Sequence, residues 1–366
     1  MWPSSQASKM LTVLLALIVL YCVAMDTMLF LRIRYYKIDV YDEIAEANAT
    51  ERAKGNLRSY ESAVWVPCVV NPLCYPTVKA LLVDHVNHYL YGPLSAAVDL
   101  GLRISHGVPF ITPNMISFFH VFVALVGAKL LTCQSLTTRR IGIVLFQLRM
   151  FLDDLDGHVA RERKNIKGEK SEVGTLGYWV DGVCDLIGVA AMVAGIVLYL
   201  RSNPPRRGYR NTPLSTLPYH QLKEINSSED IEKEHAASEV GISYKTKVSF
   251  RRVVQVVGLF SGQMVISSIA WNRYIDAYQE LLEGTAWDVT RRAAVFRSGV
   301  FFSATGMWRV VNPHSYLHLL SLAVFSDKTW GFLRAVHHTG FLCLVAAVVA
   351  SEYYVVSMRR LLGDPS

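Results

Sequence analysis

The stretch Phe151–Gly188, FLDDLDGHVARERKNIKGEKSEVGTLGYWVDGVCDLIG, sets acids and glycines at helical intervals. Asp153, Asp156, Gly157, Ala160 and Arg161 fall at i, i+3, i+4, i+7 and i+8, one face of a helix. Gly177, Asp181 and Asp185 fall at i, i+4 and i+8, again one face. Asp154 points about a quarter turn away and reads as accessory. Two consecutive helices therefore each present a pair of carboxylates about one turn apart, with glycine on the same stripe.

Outward from this stretch the chain is apolar in long blocks: residues 10–31, 115–132, 141–158, 177–200, 253–271, 298–325 and 331–357. A bilayer core needs roughly 20 apolar residues in a helix. Of 366 residues 52% are hydrophobic and only 18% charged, which excludes a disordered, collagenous or small disulfide-framework chain. The clustering of apolar residues argues against a soluble globule. The net charge of +7 then suits lipid headgroups, anionic substrates and membrane topology rather than nucleic acid. The first block, with Asp26 its only charge, reads as an anchor. It is too long for a signal peptide, and no clean small-x-small cleavage site follows. The block at 141–158 is the weakest, since it contains Arg149 and ends in acids. The expected fold is an all-α polytopic membrane protein, with a six-helix core and one N-terminal transmembrane anchor. The expected division is 1–31 anchor, 32–110 preamble, 111–357 catalytic membrane domain and 358–366 tail.

Within the preamble, Pro76–Phe110 reads as two amphipathic pieces broken near Gly92-Pro93 and lying on the membrane surface. Residues 201–247 form a polar loop that opens with Arg201, Arg206, Arg207 and Arg210, and are expected to be partly disordered. Residues 272–297 form a third connection, of mixed charge.

Four carboxylates close to a bilayer cannot all stay ionised without compensation. Hard divalent cations with oxygen ligands supply it, and two-metal sites use such clusters. Glycine and alanine on the same face leave room for a flat base and its phosphates, and Arg161 suits a phosphate oxygen. The plainer alternative is solvated acids at helix ends paired with Arg161 and Arg163. It accounts for one such pair but not for the full spacing on two consecutive helices.

The pattern D-x2-D-G-x2-A-R … G-x3-D-x3-D, here Asp153, Asp156, Gly157, Ala160, Arg161, Gly177, Asp181 and Asp185, resembles the signature of the CDP-alcohol phosphotransferases. Thr112-Pro113-Asn114 is similar to the P-N element that opens that family's first core helix. The resemblance covers roughly residues 110–357. The chain departs from the family in the 15 residues between Arg161 and Gly177, a longer polar loop than is usual there. The anchor and long preamble are also atypical, and this combination resembles the insect ceramide phosphoethanolamine synthases more than the glycerolipid enzymes.

The resemblance implies two divalent cations, Mn²⁺ or Mg²⁺, held by Asp153, Asp156, Asp181 and Asp185. It implies Asp185 as general base, and Gly157, Ala160, Arg161, Gly177 and Asn114 as substrate contacts. The implied reaction moves phosphoethanolamine from CDP-ethanolamine to the primary hydroxyl of ceramide and releases CMP. An ethanolamine- or cholinephosphotransferase acting on diacylglycerol is the nearest alternative. The resemblance leaves room for a homodimer among membrane lipids and implies no nucleic-acid partner. An ion-coupled transporter is the alternative from another class, but it has no need of the glycine and Ala-Arg positions. His314, His337, His338 and Arg309 are further candidates for the lipid or headgroup site, and Trp271, Trp308 and Trp330 read as interfacial anchors.

The crossings put the preamble and the signature on one side, and 201–247 and the N-terminus on the other. Arg139, Arg140 and the cluster at 201–210 favour a cytosolic side for the latter, making the signature luminal. Arg32, Arg34, Lys37, Arg359 and Arg360 argue the reverse. Two sequons, at Asn48 and Asn226, fall on opposite sides, so one topology glycosylates at most one. Cys68 and Cys74, on the signature side, suit a disulfide in an oxidising lumen. The expected compartment is the Golgi membrane, with the endoplasmic reticulum as the alternative.

Overall fold

The apolar blocks form helices whose starts are written in the sequence. The computed structural model describes residues 6–35, 65–164, 166, 175–209, 244–283 and 288–362. In chain order the helices are α1 (Gln6–Tyr35), α2 (Val78–Leu82), a π-helical turn (Asn87–Tyr91), α3 (Gly92–Leu102), α4 (Ile104–Gly107), α5 (Pro113–Leu131), α6 (Leu136–Arg163) and α7 (Leu176–Ser202). There follow α8 (Phe250–Glu283), α9 (Val289–Phe296), α10 (Gly299–Val311), α11 (Pro313–Phe325) and α12 (Thr329–Leu362). Thr112, Ser135, Thr175 and Asn312 cap α5, α6, α7 and α11, each accepting a backbone N–H of the first turn. Pro113 and Pro313 sit at the first helical positions, where no N–H is needed.

Among the described residues five helices, α1, α5, α7, α8 and α12, are long and apolar enough to cross a membrane. The other two expected crossings differ from plain spans. Helix α6 runs for 28 residues but carries the signature acids and their arginines. The block at 298–325 is two half-helices, α10 and α11, broken at Asn312-Pro313. Among the described residues the only strands are β1 (Arg206–Tyr209) and β2 (Tyr244–Lys247), paired antiparallel, so the two ends of the 201–247 loop are held together; residues 210–243, where partial disorder is expected, lie outside the described residues. Asn48 and Asn226 lie outside the described residues.

Helix α5 packs tightly against both α6 and α7. A Cβ on Gly142 would stand 2.9 Å from the Gly127 carbonyl, and one on Gly195 2.8 Å from that of Ala128. Small residues let membrane helices approach backbone to backbone. This places the acidic end of α6 beside that of α7. A second apolar cluster joins α1, α2, α8, α10 and α12 through Leu29, Leu81, Tyr278, Phe301 and Met358.

The start of the Pro76–Phe110 stretch is buried in the bundle, whereas Leu94, Leu100, Leu102 and Phe110 further along it stay exposed. Val78, Ala80, Leu81 and Leu82 are at most 1% exposed. The chain enters the bundle because its backbone finds partners there. Leu82 O accepts from Trp271 Nε1 (2.9 Å) and Asn312 Nδ2 (3.4 Å), Val83 O from Arg309 Nε (3.1 Å), and Val78 N donates to Glu283 (2.7 Å). Irregular backbone at membrane depth is tolerated only when it is satisfied in this way. The expected break near Gly92-Pro93 lies instead at Val83–Asp84, and the π-helical turn runs directly into α3. Trp271 and Trp308 are correspondingly core residues and not interfacial anchors: Trp308 is fully buried, its Nε1 donating to Ser351 Oγ at 2.7 Å.

The anchor is docked along one stripe. Met25, Leu29 and Ile33 are buried at four-residue intervals, while only 6% of the apolar window of α1 is buried overall. Beside them Asp26 accepts from Arg309 Nη1 (2.5 Å) and Tyr89 Oη (2.6 Å) and meets His85 Nε2 (2.8 Å). The lone charge of the first block is thus neutralised inside the bundle.

Candidate active site

Helices α5, α6 and α7 bring the signature together at one end of the bundle. One ligand atom each from His120, Asp153, Asp181 and Asp185 lies within 4.8 Å of the others. Three of the four expected carboxylates are in this group. The fourth, Asp156, stands beside it: its Oδ2 accepts from Ser117 Oγ at 2.6 Å and lies 3.8 Å from His120 Nε2. His120 Nε2 is also 3.8 Å from Asp153 Oδ1, and neither ring nitrogen of this fully buried side chain has a hydrogen-bond partner. Buried nitrogens are normally bonded. An orphaned imidazole facing three carboxylates is a donor set that fits a divalent cation.

Arg149, one turn before Asp153 on α6, supplies fixed positive charge. Its Nη2 donates to Asp185 Oδ1, and its Nη1 is 3.8 Å from Asp153 Oδ2. Gly188 makes room for it, since a Cβ there would meet Arg149 Nε at 2.9 Å. The guanidinium therefore passes across α7 to reach Asp185.

The remaining expected contacts border this centre. Gly157 leaves space that Arg161 occupies, with Nη1 3.1 Å from where a Cβ would be. Ala160 and Arg161 are half-buried on the same face. Asn114 Oδ1 would lie 3.8 Å from a Cβ on Gly177, so the P-N element meets the second half of the signature. Among the described residues Arg163 pairs with no acid. It donates to the carbonyls of Ile104, Ser105, Val108 and Ile111 at 2.8–3.2 Å, tying α6 to the end of the preamble.

Of the histidine candidates, His314 is within electrostatic reach of Asp84, Asp185, Arg149 and Lys79. His337 and His338 contact each other at 3.1 Å and line a pocket with Arg252 and Arg334, away from the acids. Arg309 belongs to the Asp26 pair. His120 and Arg149 were not singled out as site residues by the sequence pattern. Each is an ionisable residue within an apolar stretch, the signal that marks intramembrane functional groups.

A family model for ceramide phosphoethanolamine synthase matches residues 1–362. The chain belongs to the ceramide phosphoethanolamine synthase family. It is 41% identical to a ceramide phosphoethanolamine synthase of Drosophila melanogaster, over 98% of this chain and 96% of the relative. The match includes the anchor and preamble as well as the six-helix core. Membership of a synthase family sets aside the transporter alternative.

Proposed function

We propose that this enzyme transfers phosphoethanolamine from CDP-ethanolamine to the primary hydroxyl of ceramide, giving ceramide phosphoethanolamine and CMP. The carrying observation is that a chain of this family gathers Asp153, Asp181 and Asp185 around His120. Asp153, Asp156, Asp181 and Asp185 are the residues that would hold two divalent cations, Mn²⁺ or Mg²⁺. When bound, such ions neutralise the donor's pyrophosphate and the charge on departing CMP.

The chain's own groups do the rest. Asn114, Gly157, Ala160, Arg161 and Gly177 frame the nucleotide, and Arg161 binds a phosphate oxygen. Asp185, furthest along α7 into the apolar run, takes the proton of the ceramide hydroxyl as its oxygen attacks the β-phosphorus. The bond from that phosphorus to the CMP oxygen breaks, and its electron pair leaves with CMP. Arg149 is a positioning residue that aims the Asp185 carboxylate.

The signature end is proposed to face the Golgi lumen. The Cys68–Cys74 disulfide, with Cα atoms 5.4 Å apart, lies on the preamble side and suits an oxidising compartment. Arg32, which votes for the opposite orientation, is engaged in the fold by donating to Leu73 O. A luminal site predicts an endoglycosidase-sensitive glycan that Asn48→Gln removes and Asn226→Gln retains; the reverse pattern would invert the topology.

The test of function is incubation of the purified protein with labelled CDP-ethanolamine or CDP-choline and with ceramide or diacylglycerol. Ceramide phosphoethanolamine should dominate. Product formed chiefly on diacylglycerol would replace the acceptor assignment.

A further inference from the structure

The end of the bundle away from the signature holds a cavity that the transfer reaction does not use. Its place follows from the start of α6. There Arg139 Nη1 meets Asp327 Oδ1 and Arg140 Nε donates to Phe325 O, both at 3.0 Å. These contacts seat the α11–α12 turn beside the start of α6, and Arg139 lies about 21 Å along that helix from Asp153. Between the first turn of α8 and the first three turns of α12 is a cavity of about 390 Å³. Arg252, Arg334, His337 and His338 line it, and Val256 and Ala335 add apolar wall. Gly331 borders it on open space, since a Cβ there would meet no atom within 4 Å.

The lining contains basic groups and no acid. Elsewhere the fold supplies counter-charges: Arg139 has Asp327, Arg149 has Asp185, Arg273 has Glu352 and Arg309 has Asp26. At the cavity it supplies none. Among the described residues Arg252 has Gln255 Oε1 as its hydrogen-bond partner (2.8 Å), His337 and His338 have each other (3.1 Å), and no carboxylate pairs with any of the four. His337 has His338 and Arg252 as its electrostatic neighbours. Long basic side chains at the end of a membrane helix ordinarily snorkel separately into water. Here they share one recess, and like charges held together favour an anion between them.

Depth and chemistry name the anion. Helix α12 has 34 residues and is about 51 Å long, against about 40–45 Å for a bilayer with its headgroups. Arg334 and His338 lie about 8 and about 14 Å along it from Thr329, at headgroup level. A phosphate there presents several charged acceptor oxygens, and each guanidinium bonds two of them in its plane. Basic pockets between membrane helices hold phosphorylated lipid headgroups by this chemistry.

We propose that the cavity between the starts of α8 and α12 binds the phosphate headgroup of an anionic phospholipid, drawn from the leaflet opposite the signature. Arg252 and Arg334 grip the phosphate, and Val256 and Ala335 face the apolar part of the lipid below it. Under the topology proposed above this is the cytosolic leaflet, where anionic lipids concentrate.

The test follows thermal unfolding of the full chain in neutral detergent with EDTA, so that no metal at the signature acids draws the lipid. Dioctanoyl phosphatidic acid, dioctanoyl phosphatidylcholine and inorganic phosphate are titrated separately. Phosphatidic acid should raise the unfolding temperature of wild type saturably, and the other two should not. Arg252→Gln and Arg334→Gln should each weaken half-saturation about 10-fold or more, the scale of one charge-assisted hydrogen bond. Arg359→Gln, in the last turn of α12 and so at the signature end, should leave it unchanged. No saturation, wild-type half-saturation in both cavity variants, equal weakening in Arg359→Gln, or equal protection by phosphatidylcholine would overturn the site. Equal protection by inorganic phosphate would overturn the lipid as its ligand. Turnover is not read, so the outcome does not depend on the transferase reading.

Discussion

Two regions of this molecule set acids within apolar helices and differ in charge balance. Asp26 is one carboxylate with Arg309, Tyr89 and His85 gathered on it. The signature end holds Asp153, Asp156, Asp181 and Asp185 against Arg149 and an orphaned His120. In the first region both carboxylate oxygens are bonded, which explains how the anchor docks. The second carries more negative charge than its protein partners neutralise, as a site for cations and phosphates requires. An acid inside a membrane helix is thus a functional signal only when its partners fall short.

The contrast is broken if the two regions respond alike to mutation. Asp185→Asn should remove two to three orders of magnitude of rate, the rough scale of general-base loss, while calorimetry still shows most of the CDP-ethanolamine binding. Turnover near the wild-type rate would move the base elsewhere, with His314 the next candidate. Gly188→Ala should be milder. The new Cβ displaces the Arg149 guanidinium from Asp185, and a misplacement of that order lowers kcat by about 100-fold. Wild-type kcat in that variant would show that Arg149 aims nothing. Asp26→Asn should have the smallest effect on chemistry. It leaves Arg309 without its counter-charge, so thermal unfolding in detergent should shift down by several degrees, while the rate per folded molecule stays near wild type. A catalytic loss without a stability loss would put Asp26 in the functional class.

The helical blocks and the signature were legible because they rest on local periodicity. Spacing along one helix places Asp153 beside Asp156, and Asp181 beside Asp185, before any packing is known. The same periodicity gave the acid stripes but not what closes them. His120 comes from α5, and its meeting with Asp153 depends on the Gly127–Gly142 approach, a fact of packing. Arg149 reads as a blemish in a weak span until Gly188 is seen to admit it. The burial of Val78–Leu82 was not legible for a related reason. Short amphipathic pieces can bury their apolar faces on a membrane surface or inside a bundle, and the sequence pattern is the same for both. What decided between them was a set of distant partners, Trp271, Asn312 and Arg309, offering donors to Leu82 and Val83.

The central claim is that the acids of α6 and α7 hold cations for phosphoethanolamine transfer. Its most direct test is synthesis of ceramide phosphoethanolamine by purified wild type and Asp181→Asn in the same lipid, with EDTA and after Mn²⁺ or Mg²⁺ is restored. The account predicts no product from wild type in EDTA, recovery on adding metal, and no product from Asp181→Asn under any of these conditions. Full wild-type activity in excess EDTA, or full activity of Asp181→Asn, would contradict it.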